Sequence, residues 1–398
     1  MNINSPTLLI EINSDQFIFA VSDIDENNNF KIIYKDQVSI QGIEGRMITN
    51  LELTCQIIKR NIYLIEQKLN FTFKDVVIIL DNFIISFINL TEYKKLNGSQ
   101  ILEENVTFIL NSAKSNIDKF EDQKKILHIF NSKYCLDKKK VKNLPLGLFG
   151  NLYTHELSFC LISNNNYKNI LNIFDKLNLK IKKILLKSFI EGTIISINNN
   201  DTDTFFHIEI NENNSKIFYF ENDALKFEQN YEFGSNLVLN DISKITSLKK
   251  QVVKDFLSNS TLNQNISNKE CLEKEFFVNE NYRKIKKKLI FDIASARIQE
   301  LSEVLVIKNI NLNCHLKKNF TIFLKINDRL HVDCLKESYK YYFSKDHYYS
   351  VKFIDNVETK QLMNRANNLA LFGWKKEVIP VINDQKSMIA RFFDVIFG

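Results

Sequence analysis

Two stretches of the chain share one pattern of apolar and polar positions. Residues 8–20 read LLIEINSDQFIFA, and residues 206–220 read FHIEINENNSKIFYF. In both, an apolar run passes through Ile-Glu-Ile-Asn into a short polar turn, and a second apolar run follows. This pattern predicts a β-hairpin in each stretch. Because the hairpins lie nearly half a chain apart, they indicate a fold built from two related halves.

The first half continues with strands and a helix. A third strand is predicted from Phe30 to Val38, and a helix is predicted from about Asn50 to Leu69. In this helix apolar residues recur every three or four positions, at Leu51, Cys55, Ile58, Ile62, Ile65 and Leu69. The apolar run 76–80 suits a strand buried on both faces. Strands that alternate with a helix in this way predict an α/β domain.

The stretch from 82 to 163 has a different character. It predicts a helix from about Gln100 to Ser115, strands near Ile126–Tyr134 and Tyr153–Ile162, and a loop that carries Pro145. These elements predict a small α+β module inserted into the first domain. A helix at Asn166–Asn178, then a strand and a helix to Asn198, complete this half.

The second half begins after a polar run from Asn198 to Asp203, which predicts a linker. Behind the second hairpin, a lysine-rich stretch from about Ser243 to Ile307 is predicted to be largely helical. Residues from Phe320 to Phe353 have strand character, and Asn356–Phe372 is predicted to be a further helix.

The last residues, 383–398, predict a sharply amphipathic helix. Asn383 or Asp384 can cap it. Its apolar positions, at spacings of three and four, are Ile389, Phe392, Phe393, Ile396 and Phe397, while Lys386 and Arg391 are among its polar positions. Phenylalanines at a chain end favour insertion into a membrane interface. A helix docked on its own protein is the alternative, and the charge of the tail is balanced by Asp384 and Asp394.

Composition sets broad limits on the class of protein. A chain of 398 residues is too long for one compact core. The net charge of +6 is dispersed, and the one tight cluster, Lys138, Lys139, Lys140 and Lys142, suits a solvated loop better than a nucleic-acid site. Six cysteines without CxxC pairs indicate a reducing compartment. With no long apolar run and no basic start of a signal peptide, a cytoplasmic location is expected.

Residues 126–150 read ILHIFNSKYCLDKKKVKNLPLGLFG. This stretch resembles the inserted subdomain of the FtsA family of bacterial cell-division proteins, within the actin-like superfamily. The matching residues are His128, Tyr134, Asp137, Asn143, Pro145, Leu146, Gly147 and Gly150. Weaker similarity at Gly234 and at 367–373 extends the resemblance, in order, over essentially the whole chain.

The resemblance implies an α/β actin-like fold, that is, a duplicated RNase H-like fold. It assigns residues 1–81 and 164–200 to subdomain 1A, residues 82–163 to the inserted subdomain 1C, and residues 356–382 to a return into 1A. Subdomain 2A would comprise 201–242 and 313–355, and subdomain 2B would comprise 243–312. Residues 383–398 would be the membrane-targeting amphipathic helix.

The resemblance also locates the nucleotide loops, and these depart from the family. The first turn, Asp-Ile-Gly-Thr-Thr-Lys in the family, is 11–16 here; the second is 209–216, and the adenosine-side loop is matched by 325–328. All three lack glycine. The positions that would contact ATP and Mg²⁺ are Glu11, Asn13, Ser14, Glu209, Asn211, Asn213 and Asn327.

A phosphate cradle needs converging backbone N–H groups with no side chains in the way. Asp15 or Glu212, if desolvated beside ATP, would each repel it by about 4 kcal/mol. Weak or absent ATP binding, no catalytic residues and no enzymatic activity are therefore expected. Glu11 and Glu209 could pair around a metal ion, but solvated turn acids are favoured. The cysteines and histidines at 314–315 and 331–334 lack zinc-site spacing, so no metal is predicted.

The family's partners give the functional hypothesis. The resemblance implies an adaptor that binds the C-terminal peptide of FtsZ, associates with itself in filaments and lies on the inner face of the cell membrane at the division site. Arg297 and Glu300 match the FtsZ-binding helix, or form an ordinary i,i+3 surface pair. Two alternatives stay open: a pilus-type actin-like adaptor that binds a peptide of a pilus membrane protein, and an active ATPase or sugar kinase of the same superfamily.

Overall fold

A computed structural model describes residues 6–24, 30–199, 202–259, 267, 269–277, 281–313, 320–327, 329–344 and 349–378. The strands, in chain order, are β1 Thr7–Ile12, β2 Gln16–Ile24, β3 Phe30–Ser39, β4 Ile43–Glu44, β5 Met47–Ile48, β6 Asp75–Leu80, β7 Ile85–Lys95, β8 Lys124–Leu136, β9 Lys139–Val141, β10 Leu152–Ser163, β11 Lys180–Leu186, β12 Phe205–Ile210, β13 Ser215–Glu221, β14 Ala224–Tyr231, β15 Phe320–Ile326 and β16 Tyr349–Phe353.

The helices are α1 Leu51–Leu69, α2 Glu103–Phe120, α3 Asn164–Lys176, α4 Lys187–Asn198, α5 Asn236–Thr246, α6 Lys250–Asn259, α7 Lys287–Ser302, α8 Ile310–Asn313, α9 Arg329–Phe343 and α10 Thr359–Phe372. A short 3₁₀ helix spans Lys274–Phe276, and a π-helical turn, Glu303–Ile307, follows α7. These elements form two compact units. One comprises 1–203, 220–227 and 357–398, and the other comprises 204–219 and 228–356.

The first unit is built on a five-stranded sheet in the order β11-β6-β1-β2-β3. β1 and β2 form the predicted antiparallel hairpin, while β1 pairs with β6, and β6 with β11, in parallel. Every residue of β1 is buried, as expected for a central strand. Helix α1 begins where the Asn50 side chain accepts a hydrogen bond from the Leu53 N–H, and it ends at Asn70 in the left-handed conformation.

A second sheet in this unit lies between 85 and 163, with the strand order β7-β10-β8-β9, and α2 packs against it. The sequence motif found here has a structural explanation. The Asp137 carboxylate accepts hydrogen bonds from the N–H groups of Asn151 and Leu152, both at 2.8 Å. At Gly150 a Cβ atom would lie 2.4 Å from the Leu136 side chain, so a larger residue there would require that side chain to move. The motif therefore closes the end of this sheet.

The third large sheet, most of which belongs to the second unit, has five strands in the order β14-β13-β12-β15-β16. β12 pairs with β15, and β15 with β16, in parallel. This order repeats that of the first sheet, with three successive strands on one side and two parallel strands on the other. The duplication predicted from the twin hairpins is thereby confirmed, and so is the α/β class.

Helix α9 is a feature that the strand-like character of 320–353 did not predict. Its residues Leu335, Tyr339 and Phe343 are spaced by four and are buried. Their aromatic neighbours gave the segment its strand character. The helix is required because β15 and β16 are parallel, and parallel neighbours need a crossover between them.

The predicted terminal helix lies outside the described residues, and with it all seven of its proposed membrane-contacting positions. Cys314 and His315 also lie outside them. Within the described ranges, no helix has the length and apolar character that crossing a membrane requires.

The last described segment, 374–378, lies along the exposed edge of β8. The Asn131 N–H donates to the Lys376 carbonyl (2.7 Å), and the Val378 N–H donates to the Ile129 carbonyl (2.8 Å). Glu377 between them is fully buried. This segment therefore forms a short antiparallel bridge to β8, between Glu377 and Phe130.

Glu377 is held by two buried partners. The Lys183 ammonium donates to its carboxylate at 2.6 Å, and the His128 ring donates from Nδ1 at 2.8 Å. Burial alone would raise the pKa of Glu377, but Lys183 and His128 outweigh it and hold that pKa below its ordinary value. The ion pair thus joins the C-terminal segment to β11 and β8.

We expect Glu377→Gln to destabilise the protein by about 3–5 kcal/mol, because it leaves the Lys183 charge buried without a counter-charge. Urea denaturation would measure this, with Glu358→Gln, at an exposed position, as the control. The pKa of Glu377 is depressed, so its contribution is complete above the ordinary carboxyl value and is lost as the pH falls through the depressed one. A variant that unfolds like the wild type near neutral pH would contradict this role.

Candidate functional site

The first predicted nucleotide turn is closed by its own side chains. The Asn13 side-chain oxygen accepts hydrogen bonds from the N–H groups of Asp15 (2.9 Å) and Gln16 (2.8 Å). Ser14 and Asp15 are exposed, and the Ser14 hydroxyl donates to the Asp15 carboxylate. In a phosphate cradle such N–H groups would point at the anion. Here the Asn13 amide already occupies two of them.

Glu11 lies beside this turn and is only 1% exposed. The Lys187 ammonium donates to it at 2.8 Å and to Asp81 at 3.0 Å. Burial alone would lower the pKa of Lys187, but the carboxylates of Asp81, Glu11 and Glu191 raise it well above its ordinary value. The expectation that Glu11 is a solvated turn acid was wrong, because an internal cation makes its burial possible.

Lys187 is the first residue of α4, where a cation opposes the helix dipole. The nearby carboxylates compensate for this unfavourable position. Lys187 therefore links three elements of the first unit, namely the ends of β1 and β6 and the start of α4.

A cavity of about 280 Å³ adjoins the first turn. Its walls include Asn13, Ser14, Glu44, Arg46 and Asp81. The volume is slightly below the usual range for small-molecule sites, roughly 300–1,000 Å³. Two carboxylates and one guanidinium give the walls a mixed charge, which does not suit a polyphosphate.

The second turn belongs to the other unit and has a matching buried acid. Glu209 is 8% exposed, and the Lys325 ammonium donates to it at 2.9 Å. Burial alone would raise the pKa of Glu209, but Lys325, His207 and Lys216 lower it below its ordinary value. The His207 Nε2 atom lies 3.6 Å from this carboxylate, and burial lowers the pKa of His207 to about 4. Glu209, too, was wrongly expected to be solvated.

The backbone of the second turn is likewise satisfied from within. The Asn211 N–H donates to the Asn214 carbonyl (2.9 Å), and the Asn327 side-chain amide donates to the Asn211 side-chain oxygen (2.5 Å). Asn213 accepts a hydrogen bond from the Asn236 side chain at 2.8 Å. Three of the predicted cofactor positions thus hold one another or the start of α5.

The N-terminus of α5 is the place where this unit could bind an anion, and the turn occupies it. The Ser235 N–H donates to the Asn211 carbonyl, and the Asn236 N–H donates to the Glu212 carbonyl, both at 2.9 Å. A Cβ atom on Gly234 would lie 2.0 Å from the Asn211 carbonyl oxygen, so this close packing requires glycine. At other helix N-termini such N–H groups bind phosphate, but here those of Ser235 and Asn236 donate to the carbonyls of the turn.

Arg297 and Glu300 on α7 form the i,i+3 pair that the sequence allowed, at 2.7 Å. The Arg297 side chain also donates to Asp241 at 2.5 Å. The hydrogen bond to Asp241 raises the pKa of Arg297, and the charge of Glu300 adds to this. An acidic partner peptide would have to compete with both carboxylates for this guanidinium.

The two lysines that neutralise the buried acids were missed from the sequence as site residues. Lys325 had one available signal: it interrupts the apolar strand FTIFLKI, where a lysine needs a buried partner. Lys187 gave no comparable signal beyond its place at a helix start.

The fold is actin-like. A solved structure titled PilM–PilN type IV pilus biogenesis complex superposes with a TM-score of 0.52, covering 92% of this chain and 97% of that chain at 11% sequence identity. No family model matches the sequence.

Within this class, the sequence is similar to the cell-division protein FtsA, as its motifs predicted. FtsA of Buchnera aphidicola subsp. Schizaphis graminum is 20% identical over 234 residues, which are 59% of this chain and 56% of that protein. FtsA of Neisseria meningitidis serogroup B is 20% identical over 304 residues, 75% of this chain and 72% of that protein. The match thus spans little more than half of the first relative's length.

We expect Lys187→Met to destabilise the protein by about 3–5 kcal/mol, since it leaves the buried Glu11 carboxylate without its counter-charge. Urea denaturation would measure the loss. Lys124→Met is the matched control, because Lys124 pairs with Glu121 at the surface, and such a pair is worth less than about 1 kcal/mol. The double variant Glu11→Gln/Lys187→Met should recover part of the loss. Equal effects of Lys187→Met and Lys124→Met would refute the role of Lys187.

Proposed function

We propose that the chain is an actin-like adaptor of cell division that links FtsZ to the cytoplasmic membrane without using ATP. The observation that carries this proposal is the internal closure of both predicted nucleotide turns. Asn13 caps the N–H groups of the first turn, and the carbonyls of the second turn cap the start of α5. The acids that would hold a nucleotide-bound Mg²⁺ are already neutralised by lysines.

ATP would have to reverse each of these arrangements to bind. Freeing the N–H groups of Asp15 and Gln16 means breaking two hydrogen bonds, worth about 1 kcal/mol each. Displacing Lys187 would leave Glu11 charged and buried beside a polyanion. These costs support the proposal that the chain is a pseudo-ATPase and not an enzyme.

The proposed partners follow from the relatives that are named FtsA. The FtsZ C-terminal peptide would bind the second unit near Arg297 and Glu300, and subunits would associate into filaments. The tail at 383–398, through Ile389, Phe392, Phe393, Ile396 and Phe397, would lie in the inner face of the membrane at the division site. The pilus-type adaptor is the second candidate, because the superposition with the PilM–PilN structure extends over nearly its whole chain.

The pseudo-ATPase proposal predicts no binding of ATP in the micromolar range. A fluorescent ATP analogue titrated with Mg²⁺ into the full chain, and followed by anisotropy, should give no saturating signal. Asn13→Gly, which frees the turn N–H groups, should not restore tight binding, because Glu11 and Lys187 remain. Saturation at low micromolar analogue, abolished by competing ATP, would overturn the proposal and favour the active ATPase.

The adaptor proposal predicts that vesicles recruit polymerised FtsZ only when the chain is present. Co-sedimentation with vesicles of equal parts phosphatidylcholine and phosphatidylglycerol would measure this. A chain ending at Asn383 should recruit no FtsZ, because it lacks the apolar tail. Recruitment that is equal with and without residues 384–398 would refute the tail's role.

The same experiment also tests whether α7 contributes to the binding of FtsZ. Arg297→Ala should weaken recruitment of FtsZ, whereas Lys288→Ala should not, because Lys288 pairs with Asp292 and lies over the Phe291 ring, both within α7 itself. A chain that binds vesicles but recruits no FtsZ would refute the proposed link to FtsZ.

A further inference from the structure

Two basic segments that are far apart in the sequence meet in the first unit. Lys138, Lys139, Lys140 and Lys142 lie on the β8–β9 hairpin and are exposed. Lys375 and Lys376 lie in the turn at the C-terminal end of the described chain, just before the bridge to β8. We call these six lysines the basic face.

Contacts with one turn bring the two segments together. The Lys140 ammonium donates to the Asn222 side-chain oxygen at 2.9 Å, and Lys375 forms an ion pair with the adjacent Asp223. Lys376 lies over the Tyr134 ring of β8, at 5.5 Å from its centroid. Burial lowers the pKa of Lys376; the carboxylates of Asp223 and Asp203 oppose this shift, and the charges of Lys375 and Lys140 add to it. The lysines are therefore close enough to act as one positive surface.

Apolar side chains flank this surface. Leu148 is 50% exposed and Phe149 is 71% exposed. The next residue, Gly150, packs against Leu136 and Asp137, at the turn that leads into the lysine hairpin. Exposed apolar groups beside lysines are the combination found at membrane interfaces. The tyrosine under the lysines, Tyr134, is buried and cannot stack on a base.

We propose that the basic face binds the anionic headgroups of a phospholipid bilayer, as a second membrane contact beside the C-terminal tail. This inference rests on the proposed function. In the tail itself Lys386 and Arg391 are offset by Asp384 and Asp394, so it supplies apolar contact without net charge. Stable anchoring of a peripheral protein takes two signals, and clustered lysines supply the electrostatic one.

The connection between face and tail is short. Four residues, 379–382, separate Val378 from the predicted tail, and four residues can span at most about 14 Å. A tail inserted in a bilayer would therefore hold Val378, two residues from Lys376 of the basic face, within about two Debye lengths of the surface, about 8 Å each at physiological salt.

The test compares the wild type with Lys138→Gln/Lys139→Gln/Lys140→Gln/Lys142→Gln. The matched control, Lys59→Gln/Arg60→Gln/Lys68→Gln/Lys74→Gln, removes the same charge from exposed positions on and just after α1. Binding is measured by co-sedimentation with phosphatidylcholine vesicles and with vesicles of equal parts phosphatidylcholine and phosphatidylglycerol. The hairpin variant should bind anionic vesicles at least about tenfold more weakly, bind neutral vesicles unchanged and lose salt dependence. The control should bind like the wild type.

Other outcomes separate this inference from the proposed function. A hairpin variant that binds anionic vesicles like the wild type, or only as weakly as the control, refutes headgroup binding by the basic face. The proposal for the tail is then unaffected. If a chain ending at Asn383 pellets as well as the full chain, the tail proposal fails, and the face is supported only if the hairpin substitutions then abolish pelleting. If the hairpin substitutions weaken binding of an RNA homopolymer but not of vesicles, the basic face binds nucleic acid and the bilayer proposal is refuted.

Discussion

A carboxylate buried at the end of a central strand must be neutralised, and this constraint shapes both halves of the molecule. Glu11 and Glu209 each lie one residue before the end of their strand, and both are buried. Removing an ion from water costs several kcal/mol, so each acid needs a cation in contact. Lys187 and Lys325 provide it. Since these cations belong to the chain, neutralisation needs neither a metal ion nor a nucleotide.

The two halves meet this constraint with different residues. Lys187 comes from the start of α4, whereas Lys325 comes from the neighbouring strand β15. The strand order of the two sheets is nevertheless the same. The duplicated sheets therefore preserve the position of the acid and the need for a positive charge, but not the element that supplies it.

The sequence predicted where the strands lie better than which charged side chains pair inside the fold. Alternating and continuous apolar runs located both hairpins and the buried strand β6, because burial on a sheet leaves a local pattern. The burial of Glu11 and Glu209 left no local pattern in the sequence, since their partner lysines lie 176 and 116 residues away. Helix α9 was missed for a related reason: its aromatic residues suit a strand, and only the parallel pairing of β15 with β16 calls for a crossover.

The same distinction between local pattern and distant partner governs the C-terminal end. Residues 376–378 lie beside β8 through backbone hydrogen bonds, and the buried Glu377 joins them to Lys183 and His128. β8 also leads into the hairpin that carries Lys138 to Lys142. The bridge at Glu377 and its buried ion pair therefore set where the last described residues lie relative to those lysines, and neither contact leaves a pattern in the local sequence.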